Sequence, residues 1–195
     1  MPMRVHGMKA IRRRTDIGFQ KDYNNYIDDL RKDFYFICGY CGKHEMVSHK
    51  GMEPDHFVPQ KIDPSRKCDY SNLVYSCFAC NRKKSGKWPT GDKDKPFDKE
   101  IGIVDPASSE YDRHLSRTDE GAITYSTPLG KYIFEKIFKF NIRPTREIWQ
   151  ATQLYELTDE LEKLVYNLPQ EDSKRFLGLT KELHQLNKYL FECNE

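Results

Sequence analysis

The sequence predicts an α+β fold: a small core of strand, loop, strand and helix, preceded by a helix and followed by a helical hairpin. Two observations predict it. Short β-branched and aromatic runs are bracketed by Pro and Asn around residues 54–76, and long apolar periods of helical type occupy the last third of the chain. A third observation pins the core. Four of the six cysteines form two Cys-x-x-Cys pairs, Cys38/Cys41 and Cys77/Cys80, with 35 residues between them.

Residues 1–19 read as a basic arm, with Arg12, Arg13 and Arg14 in a row. A charge run of this kind is solvated surface or lies along a phosphate backbone. From Lys21 to Phe34 the apolar set Tyr23, Tyr26, Ile27, Leu30, Phe34 marks one buried helix face. The first Cys pair follows, eased into its turn by Gly39 and Gly42. A short strand is expected near Asp55–Val58 between Pro54 and Pro59, then a loop through Pro64, Ser65 and Asp69. Asn72–Ser76 reads as the second strand, and a short helix over Asn81–Ser85 stops near Gly86. The core is thus 20–90. Residues 91–128 read as a linker with a short hairpin turning near Gly121 and packing on the core, with His114 structural. Residues 129–195 read as helical, in segments Leu129–Phe140, Thr145–Leu168 and Glu171–Cys193.

In that last region Leu154, Leu157, Leu161, Leu164 and Leu168 are spaced 3-4-3-4, as are Phe176, Leu179, Leu183, Leu186 and Leu190. Each set makes a seam of coiled-coil type, and a reversal at Pro169–Gln170 would let the seams face each other. Tyr155, Val165, Tyr166 and Tyr189 lie off the seams and would furnish a face for a homodimer or a protein partner.

Net charge is +2, but residues 1–100 hold 20 Lys and Arg against 14 Asp and Glu, while residues 101–195 hold 12 against 16. The first half suits a polyanion and the second does not. No run of 18 uncharged apolar residues is present, which excludes a membrane-spanning helix. The basic start has no apolar stretch behind it, so a cytoplasmic setting is expected. In a reducing setting two Cys-x-x-Cys pairs read as a structural zinc site of four thiolates rather than as disulfides. His44 stands near enough to compete as a ligand, but four thiolates already complete the tetrahedron. Cys68 and Cys193 lack partners at metal-ligand spacing.

CGYC, the Asp55-His56 pair, NLV from Asn72, and CxxCNxxK from Cys77 to Lys84 together resemble the HNH endonucleases of the ββα-metal superfamily, in particular their four-cysteine zinc branch. The resemblance covers roughly residues 20–90 and implies a zinc-stapled ββα-metal nuclease core. It further implies that His56 is the general base and that Asp55 and Asn81 hold the catalytic Mg²⁺ or Mn²⁺. Asn81 stands where many members carry a last His. Asn72 matches the family's middle Asn and would orient the loop and the His56 ring. Lys84 matches the family's Lys. Lys83, Lys84 and Arg82 are expected to contact nucleic acid.

The chemistry agrees with these roles. An imidazole titrates near neutrality and can take a proton from water, while a carboxylate and an amide oxygen are hard ligands for a small divalent cation. The function expected is hydrolysis of phosphodiester bonds in nucleic acid, double-stranded DNA first. The alternative is a non-catalytic zinc module that binds nucleic acid, which has no need of Asp55, His56 and Asn81 at these offsets.

Overall fold

A computed structural model describes residues 3–165 and 170–192. The fold is α+β, built from helices and three two-stranded antiparallel sheets. The predicted first helix opens as a 3₁₀ turn, Tyr23–Tyr26, because the Asp22 side chain accepts from the Asn24 backbone N–H. It continues as α1, Ile27–Asp33. Tyr35 and Phe36 then adopt positive φ, 53° and 61°, which reverses the chain into the first cysteine turn.

Strand β1 is Met52–His56 and β2 is Leu73–Cys77, with Met52 opposite Cys77 and His56 opposite Leu73. β1 lies earlier than the sequence suggests because Phe57 and Val58 leave the sheet to bond with Asn72. Pro54 is tolerated inside β1 because a two-stranded sheet leaves an edge with no bond to donate. Helix α2, Phe78–Lys84, follows β2 without a loop and ends at Ser85, whose φ is 47°.

The linker contains a small hairpin, β3 Phe97–Asp98 with β4 Ile101–Gly102. Helix α3, Tyr111–His114, leads into the expected second hairpin, β5 Leu115–Arg117 with β6 Ile123–Tyr125. Gly121 stands in its turn at φ 94°, and a Cβ there would lie 2.3 Å from the Trp149 ring. Helix α4, Pro128–Tyr132, is capped by Thr127 and runs on as a π-turn, Ile133–Ile137. Helices α5, Thr145–Val165, and α6, Gln170–Glu192, pack on each other. Among the described residues no helix is long and apolar enough to cross a membrane.

One apolar cluster joins both sides of the cysteine turns. Leu30 and Phe34 of the first helix region, Leu73 and Val74 of β2, Ile103, Tyr111, Leu115 and Phe138 are all buried in it. The N-terminal segment also belongs to it, since Val5 is fully buried. Two of the three consecutive arginines are paired: half-buried Arg13 with Asp105, and Arg14, which stays exposed as Arg12 does, with the buried Asp33.

The leucine seams depart from expectation. Leu154, Leu157, Leu161 and Leu164 of α5 and Leu179 and Leu183 of α6 are exposed rather than buried in a seam. The buried face of α5 carries Ile148, Trp149, Ala151, Thr152, Thr158 and Val165, and Thr180 is buried on α6. A ring stack, His44 on Tyr155 at 4.5 Å and Tyr155 on His184 at 4.7 Å, ties both helices to the first cysteine turn. The core thus took the α5 face that carries Trp149, Ala151 and the buried threonines Thr152 and Thr158 in place of the leucine face. The reversal at Pro169, Cys193, Leu168 and the side chains of Tyr166, Leu186, Tyr189 and Leu190 lie outside the described residues.

Candidate active site and metal centre

The four cysteines of the two pairs converge. Their sulfurs all lie within 4.8 Å of one another, and all four residues are buried. Cys41 Sγ and Cys77 Sγ are 3.8 Å apart. A tetrahedron with Zn–S bonds of about 2.3 Å has edges of about 3.8 Å, so the donor set fits a four-thiolate zinc ion. Burial pushes the Cys38 and Cys80 thiols up, while hydrogen bonds from its neighbours, Cys38 foremost, hold Cys41 down.

The turn that carries the first pair is shaped by distant chain. Gly42 sits at φ 70°, and a Cβ there would meet the Val5 carbonyl oxygen at 2.6 Å. His6 Nε2–H donates to the Gly39 carbonyl at 2.6 Å, and burial pushes that imidazole down to about 4. Arg117 donates to the carbonyls of Val5, Cys41 and Gly121, and its guanidinium stacks on Trp149. On the second pair, Arg143 Nη1 lies 3.3 Å from Cys80 Sγ, placing a positive charge against the sulfur cluster. None of His6, Arg117 and Arg143 had a sequence signal, because each acts across a long loop.

His56 closes β1 and is nearly buried. Its Nε2 lies 2.8 Å from the Lys67 carbonyl, an acceptor only, so Nε2 carries the hydrogen and Nδ1 keeps its lone pair. Gln60 Nε2 approaches Nδ1 at 3.3 Å, and Tyr23 packs edge-on at 4.6 Å. Desolvation pushes the imidazole below its ordinary value, which keeps it neutral at pH 7. Asn72 does not touch the ring. Fully buried, it accepts from the Val58 N–H at 2.9 Å and donates to the Val58 carbonyl at 3.1 Å, bracing the loop that carries Gln60 and Lys67.

Glu53 and Asp55 lie two apart on β1 and so share a face, and both meet α2. Asn81 Nδ2 donates to Glu53 Oε2 at 2.6 Å. Asp55 instead accepts from the Tyr40 hydroxyl at 2.6 Å and faces the Lys84 ammonium at 2.9 Å. Asp55 and Asn81, expected to act as one ligand pair, are therefore turned to different partners. Lys84 differs more sharply from expectation: it is fully buried, and its ammonium also donates to the His56 carbonyl at 2.5 Å. A side chain so placed neutralises Asp55 and does not reach a phosphate. Arg82 is exposed and Lys83 half-buried. Glu53, Asn81 and Arg82 line an open cleft of about 470 Å³ with Tyr23, Asn24, Ile27, Met52 and Pro54.

Residues 38–87 match the HNH endonuclease family. The matching HNH segment runs from the first cysteine through β1, β2 and α2, about a quarter of the chain. It contains all four clustered cysteines together with Asp55, His56, Asn72 and Asn81. HNH domains are in general metal-using nucleases that act on nucleic acid. No curated protein and no solved structure matches the chain. Glu53, which meets Asn81 in this segment, carries no motif of its own; its mark in the sequence is the two-residue period of the strand, which puts it on one face with Asp55.

Proposed function

We propose that the protein is a metal-dependent endonuclease that hydrolyses phosphodiester bonds of nucleic acid, double-stranded DNA first, with His56 as general base. The observation that carries this reading is the tautomer of His56. Its Nε2–H is tied to the Lys67 carbonyl, so a neutral Nδ1 faces away from that bond as a proton acceptor. Burial that lowers its proton affinity keeps that nitrogen unprotonated at neutral pH, where it faces Gln60 Nε2 at a long 3.3 Å, a contact that an attacking water would replace.

The base takes the proton of an attacking water, and the fixed ring needs no reorientation to do so. Asn72 holds the loop, Tyr23 and Gln60 hold the ring. The oxygen donors on the β1 face against α2 suit Mg²⁺ or Mn²⁺: Asn81 and Glu53 on the open cleft, and Asp55 once it gives up Lys84. Such an ion supplies neutralisation of charge on the phosphoryl and leaving oxygens. Zinc in the four-cysteine site is structural, closing both ends of the β1–β2–α2 unit and leaving no position open for substrate.

Purified protein incubated with supercoiled plasmid, with and without Mg²⁺ or Mn²⁺, tests the reading. Cleavage should require the cation, and His56→Ala should lose on the order of 10²–10⁴-fold in rate, with zinc content and folding unchanged. A His56→Ala protein that cuts at the parent rate removes the assignment. A parent that binds plasmid but never cuts is the non-catalytic zinc module. The exposed leucines of α5 and α6 are proposed as a self-association face that would bring two such sites to the two strands of a duplex.

A further inference from the structure

Phe78, the first residue of α2, carries two exposed cations on its ring. The Lys50 ammonium stands 4.6 Å from the ring centroid and the Arg82 guanidinium carbon 4.9 Å. Lys50 comes from the loop ahead of β1, and Arg82 lies one helical turn beyond Phe78. Among the described residues neither is paired with a carboxylate, whereas Arg13, Arg14, Arg31 and Lys84 are each spent on one. A ring face attracts a cation, and here one ring gathers two that repel each other. Two cations anchored on one ring, neither offset by a carboxylate, make a local excess of positive charge that neighbouring phosphates can neutralise.

The position says which anion. Arg82 lines the same cleft as Asn81 and Glu53, and Tyr23, which also lines that cleft, packs against His56. We propose that Lys50 and Arg82, held on Phe78, form a clamp for the phosphates of a nucleic-acid backbone at the lip of the HNH cleft. The inference rests on the reading of the protein as a nucleic-acid enzyme and adds Lys50, a residue with no motif of its own. The two cations divide the work by chemistry. The guanidinium fork takes two oxygens of one phosphate, and the ammonium serves as a point charge for a phosphate beside it. Neither reads sequence. The clamp sets the register of the backbone over His56.

The test is equilibrium binding of a fluorescent 20-base-pair duplex to the full chain without added divalent cation, followed by anisotropy between 50 and 200 mM KCl. Each phosphate contact contributes about 0.9 to the slope of log K against log salt. Lys50→Ala and Arg82→Ala should each flatten that slope by about 1, and the double variant by about 2. Arg82→Lys should keep the parent slope, while Lys163→Ala, remote and paired with Asp159, should change nothing. Both clamp positions are exposed, so zinc content should stay at the parent value in every variant. Slopes for Lys50→Ala and Arg82→Ala equal to a steep parent slope overturn the clamp alone. A parent with no salt-dependent binding overturns the nucleic-acid reading and the clamp with it.

Discussion

Lys84→Met should be among the most damaging single substitutions outside the cysteines. Methionine fills most of the volume of the lysine stem, so little cavity forms and the loss is that of the ammonium itself. That ammonium is fully buried, 2.9 Å from Asp55 and 2.5 Å from the His56 carbonyl. Removing one partner of a buried ion pair costs roughly 3–5 kcal/mol, because the remaining charge stays out of water. The Tyr40 hydroxyl still donates to Asp55, which places the expected loss near the lower end, about 3 kcal/mol. Asp55→Leu should cost a similar amount by stranding the ammonium. The double variant leaves no buried charge and should regain most of the loss, giving a coupling energy of about 2–3 kcal/mol. Urea unfolding of the zinc-loaded protein reads this through Trp88 and Trp149, both buried. If Lys84→Met unfolds within about 0.5 kcal/mol of the parent, or the two losses simply add, the ion pair does not support the strand as described.

Two further expectations concern pH and assembly. Burial pushes His44 down to about 4 against the raising effects of Glu156, Glu45 and Asp159 and with that of Lys9. The unfolded chain therefore takes up a proton below about pH 6.5 that the folded chain refuses, so stability is complete above that value and falls as pH drops toward 4. His44→Gln should remove about 2 kcal/mol of the loss between pH 7 and 5, while buried His6 leaves a residual slope of the same sign. Parallel urea midpoints for parent and variant across that range would contradict it. For the leucine face, sedimentation at micromolar concentration should show self-association that Leu157→Glu with Leu164→Glu abolishes; a parent that sediments as a strict monomer ends the idea.

The parts of the site that were legible in the sequence are those whose partners sit close by or share a strong spacing. Two Cys-x-x-Cys pairs converge wherever a hairpin brings their ends together, and β1 with β2 does so. The Asp-His pair at the end of β1 and the Asn after the last cysteine stand out for the same reason. Lys84 was misplaced because a lysine late in a basic helix resembles solvated surface; only the facing Asp55 decides otherwise, and that contact spans 29 residues. The leucine seams misled through period alone. A 3-4 repeat states which side chains share a face, not whether that face meets the core, and here His44, Thr152 and Tyr155 fill the contact instead. The pairing of the N-terminal arginines was not legible because their partners, Asp33 for the exposed Arg14 and Asp105 for the half-buried Arg13, come later in the chain.

The reach of Arg117 back to Val5 has a consequence for how the chain matures on the ribosome. The two residues are 112 apart, and Arg117 also holds the Cys41 carbonyl, 76 residues upstream. At roughly 5–20 residues per second, the segment around Val5 waits about 6–20 s for the residue that fastens it. The four clustered cysteines are complete earlier, as soon as Cys80 has emerged. Two stages follow: the cysteine centre can load while its outer wrapping is still being synthesised, and the N-terminal strap seals over it only after the β5–β6 hairpin is made. In a nascent chain stalled between Cys80 and Arg117 the four cysteines would lack this wrapping, so any metal they held would be more open to chelators than in the finished protein.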